Sequence, residues 1–222
     1  MVKQGTILTL VKYFIVFVSL CFLTTLLVQT IRNQLTEEFF VFGIIFFVLG
    51  YALADLITGT VHWFCDSFFS ENTPLIGPLI IASFREHHTH PQLFTQDKFI
   101  EQDTTSFFLL LVPLVLAVGS KSSNIYDLSN YLWHCTLIGL SIGAFGTNLF
   151  HKWAHQKNPP RFAKKLQKIG LILTPELHKK HHRSYSESFC VTSGWLNPLL
   201  DYINFFPKLE SFIRFFFHDS RT

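Results

Sequence analysis

Apolar residues gather along this chain in four long stretches, at about 8–28, 39–60, 105–119 and 131–150, each with few charges. Runs of this kind suit helices crossing a hydrocarbon core of roughly 30 Å. The first follows a short basic start and lacks a small-residue cleavage site, so it reads as a retained membrane helix at about 8–28 rather than a signal peptide. Between the second and third stretches the pattern is uneven. Pro74, Pro78 and Pro91 punctuate it, and Leu79-Ile80-Ile81-Ala82 is too short to span, so this segment is expected to lie in the interface or to re-enter.

Beyond the fourth stretch the periodicity changes. After the Asn158-Pro159-Pro160 break, Phe162, Leu166, Ile169 and Leu173 share one helical face and Lys164, Lys165 and Lys168 oppose them. That is the pattern of an amphipathic helix lying on a membrane. Thr174-Pro175-Glu176 then supplies an N-cap, a proline suited to the first helical position and an early acid, which predicts a new helix.

Four crossings return the chain to its starting side after the second and the fourth, which puts the N-terminus, residues 61–104 and everything beyond 150 on one face. The opposite loops, near 29–38 and 120–130, hold only Arg32 and Lys121 of the 18 basic residues. Lysine and arginine favour the untranslocated side, so the richer face is expected to be cytoplasmic. The fold class predicted is therefore an all-α integral membrane protein of about four transmembrane helices with a cytoplasmic, histidine-rich metal-binding cap, forming one domain over 1–222.

Composition agrees, since 49% hydrophobic residues and a mean hydropathy of +0.31 are high for a soluble protein of this size. A net charge of +3 makes nucleic acid a poor partner. Cys21, Cys65, Cys135 and Cys190 are scattered without CxxC spacing, which predicts neither a disulfide nor cysteine-bound zinc. Gly139 and Gly143 form a GxxxG that can pack the fourth stretch closely against another helix of the chain.

The chemistry lies in the 11 histidines. Nine form groups: His62; His87, His88 and His90; His151 and His155; His178, His181 and His182. His134 and His218 stand apart. His151 and His155, four apart at the end of the fourth stretch, project from one helical face and can hold one metal. His178, His181 and His182 have the i, i+3, i+4 spacing that does the same, and vicinal His87 and His88 can direct one ring toward each of two metals. Any one group alone is matched by chance or by polar side chains at an interface. Together the groups converge on one membrane boundary, which the chance reading does not explain.

His90, between Thr89 and Pro91, ranks below the other eight as a ligand, and His134 lies too deep in its span to join them. Asp55, Gly59, His62 and Asp66 fall on one helical stripe, the glycine leaving room for close packing, and the aspartates are expected to be ligands or partners that orient imidazoles. Eight imidazoles suit two ions better than one catalytic zinc. Imidazole alone does not select among iron, copper, nickel and zinc. A redox pair above apolar helices, where an alkyl chain can reach it, favours iron.

Several motifs carry a resemblance: Asp55-Leu-Ile-Thr-Gly-Thr-Val-His62-Trp63, Phe84-Arg85-Glu86-His87-His88, Thr147-Asn148-Leu-Phe-His151-Lys152-Trp153-Ala-His155, and His178-Lys-Lys-His181-His182-Arg183 leading to Thr192-Ser-Gly194-Trp195-Leu196-Asn197. Over about residues 45–212 the chain resembles the Kua, or plasmanylethanolamine desaturase, family, also called the lipid desaturase domain. The resemblance implies a membrane enzyme with two iron ions and dioxygen as co-substrate. It implies conversion of the 1-O-alkyl ether of an ethanolamine phospholipid to the vinyl ether of a plasmalogen. By motif the ligands are His62, His87, His88, His151, His155, His178, His181 and His182, with Asp55, Asp66, Asn148 and His90 as possible supporting residues.

A plant branch of that family places a trans double bond in the acyl chain of phosphatidylglycerol, which is the alternative substrate. A hydrolase or hydroxylase on the same scaffold, and a non-enzymatic membrane localisation module, are alternatives of other classes. The sequence has no haem motif, GxGxxG or flavin signature, so electrons are expected from an external donor such as a b-type cytochrome or a ferredoxin. The expected location is the endoplasmic reticulum if the source is eukaryotic and the cytoplasmic membrane if it is bacterial.

Overall fold

The computed structural model of the chain describes residues 4–32, 37–77, 81–91, 95–96, 99–119 and 127–216. The helices are α1 (Gln4–Arg32), α2 (Glu37–Ser67), α3 (Ala82–Thr89), α4 (Phe99–Gly119), α5 (Leu128–His155), α6 (Arg161–Lys168), α7 (Pro175–Ser184), α8 (Asn197–Tyr202) and α9 (Phe205–Phe216). No strand occurs among the described residues. Pro78, Leu79, Ile80, Lys121 and His218, which figure in the sequence reading, lie outside them.

Each of the four apolar stretches lies in a helix: α1, α2, α4 and α5. Among the described residues, two segments are long and apolar enough to cross a membrane, Ile7–Arg32 in α1 and Phe39–Ser67 in α2. Phe14, Phe17 and Ile31 on α1 and Val41 and Leu49 on α2 are exposed. A helix apolar on all sides needs an apolar neighbour on all sides, and lipid supplies one.

The chain divides into two compact units, Met1–Ala54 with Asp97–Leu149 and Asp55–Gln96 with Phe150–Thr222, the boundary falling inside α2 and inside α5. In the first unit α1 packs against α4, where the Ser19 hydroxyl donates to the Phe107 carbonyl at 3.3 Å. Phe107 stacks on Phe145 of α5 with ring centroids 4.0 Å apart. Here α2 and α5 meet through glycines: a Cβ on Gly50 would overlap the Thr136 carbonyl, and one on Gly139 the Phe47 carbonyl. The GxxxG of the fourth stretch thus packs within the chain, and Gly143 faces Ala54.

The second unit is built around Trp63, Phe189, Cys190, Leu200 and Phe206, with Leu209 and Ile213 of α9 against them. Arg214 ties α9 to the end of α2, donating to the Ser67 carbonyl at 2.9 Å. α6 is shorter than its apolar periodicity predicts. It stops at Lys168 because Gly170, at φ +69°, turns the chain into a left-handed cap in which the Leu171 N–H reaches back to the Leu166 carbonyl at 3.0 Å. Phe162 and Ile169 remain exposed, whereas Leu173 leaves the predicted face and is buried. α7 starts as its sequence predicts: Thr174 accepts from the Leu177 N–H at 3.3 Å and Pro175 takes the first helical position.

Candidate metal centre

All eight histidines of the motifs fall in the second unit. α2 ends with His62 and Asp66, α3 carries His87 and His88, α5 ends with His151 and His155, and α7 carries His178, His181 and His182. Helical spacing of three or four aligns the sets on α2, α5 and α7, while His87 and His88 are adjacent on α3; His62, His87, His151, His178 and His181 are buried.

Their ring nitrogens form two convergent groups, His87, His151, His155, His178 and His182 in one and His62, His87, His88 and His181 in the other, with the donor atoms of each within 4.8 Å of one another. His87 belongs to both. The vicinal spacing allows one ring toward each of two metals; in the structure His88 belongs to one group and His87 to both.

In the first group, His178 Nε2 lies 2.8 Å from His151 Nε2, 2.8 Å from His155 Nε2 and 2.9 Å from His182 Nε2. A neutral imidazole has a single N–H. His178 Nε2 carries either one proton or one lone pair, so it can satisfy only one of these three contacts, and the others are left unsatisfied or mutually repulsive. A cation bound among these nitrogens would turn that repulsion into ligation.

The second group makes the same demand more sharply. His62 Nδ1–H donates to the Phe189 carbonyl at 3.1 Å and His181 Nδ1–H to the Glu187 carbonyl at 2.8 Å. Since a carbonyl only accepts, these bonds place the ring proton on Nδ1 and leave Nε2 bare. Both Nε2 atoms are buried without a hydrogen-bond partner. They face Asp66 Oδ2, at 3.3 Å from His62 and 3.5 Å from His181. Three acceptors turned on one another in a buried space fit a bound cation. His88 donates from Nε2 to the same oxygen at 3.0 Å, leaving its buried Nδ1 without a partner.

Burial also favours the neutral form of four of the rings. It holds His87 and His178 well below the usual histidine range, reinforced by His62 and His88 around the first and by His155 and His182 around the second. Burial, with His155 and His88 nearby, lowers His182 to about 3, and burial with His88 and His181 lowers His155 to about 4. Neutral imidazole is the form that binds a metal.

A model of the lipid desaturase domain matches residues 51–220. The chain belongs to this family. It is 34% identical over 168 residues to the plasmanylethanolamine desaturase of Myxococcus xanthus, covering 75% of this chain and 58% of that protein. It is 36% identical over 171 residues to plasmanylethanolamine desaturase 1 of Mus musculus, covering 75% of this chain and 63% of that protein. Fatty acid desaturase 4-like 1, chloroplastic, of Arabidopsis thaliana is 32% identical over 175 residues, 76% of this chain and 55% of that protein. The chain thus spans less than two thirds of the length of these relatives. No solved structure matches it.

Within this family member the supporting residues separate. His90 is exposed at the end of α3, its Nδ1 bonded to the Thr89 hydroxyl at 3.0 Å, and belongs to neither group. Asn148 lies half-buried one turn before His151. His134 is buried in the other unit. Asp66 faces the imidazoles directly, whereas Asp55 is fully buried and accepts from the backbone N–H groups of Thr192, Ser193 and Gly194 at 2.9–3.1 Å.

Asp55 thereby holds the segment 187–196, an irregular strap whose second half, 192–196, stands among the quoted motifs but has no role assigned from sequence. Gly59 leaves room for it, since a Cβ there would lie 2.7 Å from Cys190 Sγ. The two carbonyls that anchor His62 and His181 belong to this strap. Backbone groups leave no mark in a pattern of residue types, although Asn197, which brackets Cys190 with two 2.9 Å bonds, stands in the quoted motif.

Proposed function

We propose that this chain is a membrane di-iron lipid desaturase that converts the 1-O-alkyl ether of plasmanylethanolamine to the vinyl ether of a plasmalogen, using dioxygen and an external electron donor. The observation carrying the reading is the pair of convergent histidine groups sharing His87, in a chain related to plasmanylethanolamine desaturases of a bacterium and a mammal. His151, His155, His178 and His182 with His87 would hold one iron, and His62, His88 and His181 with His87 the other. Such an iron pair supplies the oxidising power to take hydrogen from an unactivated carbon.

The chain's own residues set the conditions. Burial limits water around the rings and favours the neutral form of His87, His155, His178 and His182, the Phe189 and Glu187 carbonyls turn two bare nitrogens inward, and Asp66 adds negative charge among them. In the overall reaction the lipid loses two hydrogens, and dioxygen accepts these with two electrons and two protons from the donor side to leave as two waters. The centre lies at the ends of α2 and α5; in the four-crossing reading, where the bias of basic residues makes that face cytoplasmic, the histidines stand at the cytoplasmic boundary. A site at that depth reaches carbons near the headgroup, where the ether oxygen is.

The test is expression in cells that supply 1-O-alkyl phospholipids and make no plasmalogens. Acid-labile lipids releasing fatty aldehydes should form only in the presence of oxygen. A new trans double bond near an acyl carboxyl, without aldehyde release, would favour the activity suggested by the Arabidopsis relatives' names. Neither product from iron-loaded protein with a competent donor would refute the desaturase reading.

A further inference from the structure

The strap between α7 and α8 is buried from Ser188 to Gly194 although it forms no helix or strand. Buried irregular backbone must find hydrogen-bond partners elsewhere; Asn197 serves Cys190 in the middle, and two aspartates hold the ends. At one end Asp201 accepts from the Ser188 N–H at 2.9 Å through one oxygen and from the Ser188 hydroxyl at 2.8 Å through the other. Lys180 fixes the same carboxylate at 2.8 Å. At the other end Asp55 gathers three backbone N–H groups on Oδ1, with the Ser193 hydroxyl at 3.1 Å and the Leu196 N–H at 3.4 Å on Oδ2. The Thr58 and Thr192 hydroxyls pair at 3.0 Å beside it.

Between these anchors the strap presents the Phe189 carbonyl to His62 Nδ1, while the Glu187 carbonyl, one residue before Ser188, meets His181 Nδ1. Both rings belong to the four-histidine group. The other group's rings, the shared His87 apart, are carried by α5 and α7. The strap therefore addresses one half of the centre.

We propose that Asp55 and Asp201 are positioning residues that, by clamping the two ends of the strap, fix the Nδ1–H tautomer and orientation of His62 and His181 and thereby set the affinity of one of the two metal positions and not the other. This rests on the metal-centre reading above. Neither aspartate touches an imidazole. Each acts through backbone carbonyls, the kind of outer contact whose loss costs a metal site on the order of 10–100-fold in affinity.

The test is titration of metal-free, full-length protein in lipid nanodiscs with cobalt(II), counting bound ions and their affinities from the absorption spectrum. Wild type should take up two ions. Asp55→Asn should keep one at wild-type affinity and bind the second on the order of 10–100-fold more weakly, and Asp201→Asn should weaken that same ion. The unchanged ion is the reading that a general loss of structure would move. If Asp55→Asn does not fold, Asp201→Asn, altered at the edge of the unit, decides alone. Two ions at wild-type affinity in the folded variants, or equal weakening of both ions, would overturn the proposal. Fewer than two ions in wild type would overturn the metal reading itself, and the proposal with it.

Discussion

Asp66 Oδ2 lies 3.0 Å from His88 Nε2, on a helix that ends one residue later. The same oxygen faces the bare Nε2 atoms of His62 and His181, so one carboxylate meets three rings from three helices. Asp66→Asn keeps the shape, removes the charge and turns either an oxygen or an amide toward these nitrogens. Iron affinity at that one position and desaturase activity should each fall on the order of 10–100-fold, and His90→Ala, at an exposed ring outside both groups, should change neither by as much as twofold. Full activity in Asp66→Asn would remove the carboxylate from the centre.

The close approach of α2 and α5 gives a prediction about stability. Gly50 and Gly139 each face a backbone carbonyl that cannot yield as a flexible side chain would. Gly50→Val or Gly139→Val should therefore destabilise the protein by at least about 1–3 kcal/mol, read as a lower midpoint of thermal unfolding in detergent. An unchanged midpoint would mean that the two helices do not pack through these glycines.

The neutral rings give the metal-free protein a pH dependence of fixed sign. His155 and His182, lowered to about 4 and about 3, and His87 and His178, held well below the ordinary value, stay neutral when folded and take up protons near 6.5 when unfolded. Between those limits the unfolded state binds more protons, so stability rises with pH and is lost as pH falls below about 6.5. Melting curves of metal-free protein should show a lower midpoint at pH 5.5 than at pH 7.5. A higher midpoint at pH 5.5 would contradict the burial of these rings.

Much of this arrangement is legible in the sequence because it is carried by side-chain periodicity. The i, i+4 pair His151 and His155, the i, i+3, i+4 set on α7 and the stripe of Asp55, Gly59, His62 and Asp66 all fix a face before any tertiary contact exists. Thr174 and Pro175 announce α7 by local chemistry alone. What periodicity does not carry is tertiary. The end of α6 depends on the left-handed turn at Gly170, so Leu173 moves from a predicted surface face into a core. The sharing of His87 depends on where α3 lies against three other helices. The strap is built from backbone bonds to Asp55, Asp201 and Asn197, whose residue types could equally stand on a surface.

If eight histidines form two metal positions joined by His87, the iron content of purified protein follows from that arrangement. Wild type should hold two irons per chain. His182→Ala and His88→Ala, each altering one group, should each lower the content toward one, while His87→Ala should lower the occupancy of both positions, all three proteins remaining in the membrane. One iron or none in wild type, or a His87→Ala variant that loses no more than its single-group counterparts, would contradict it.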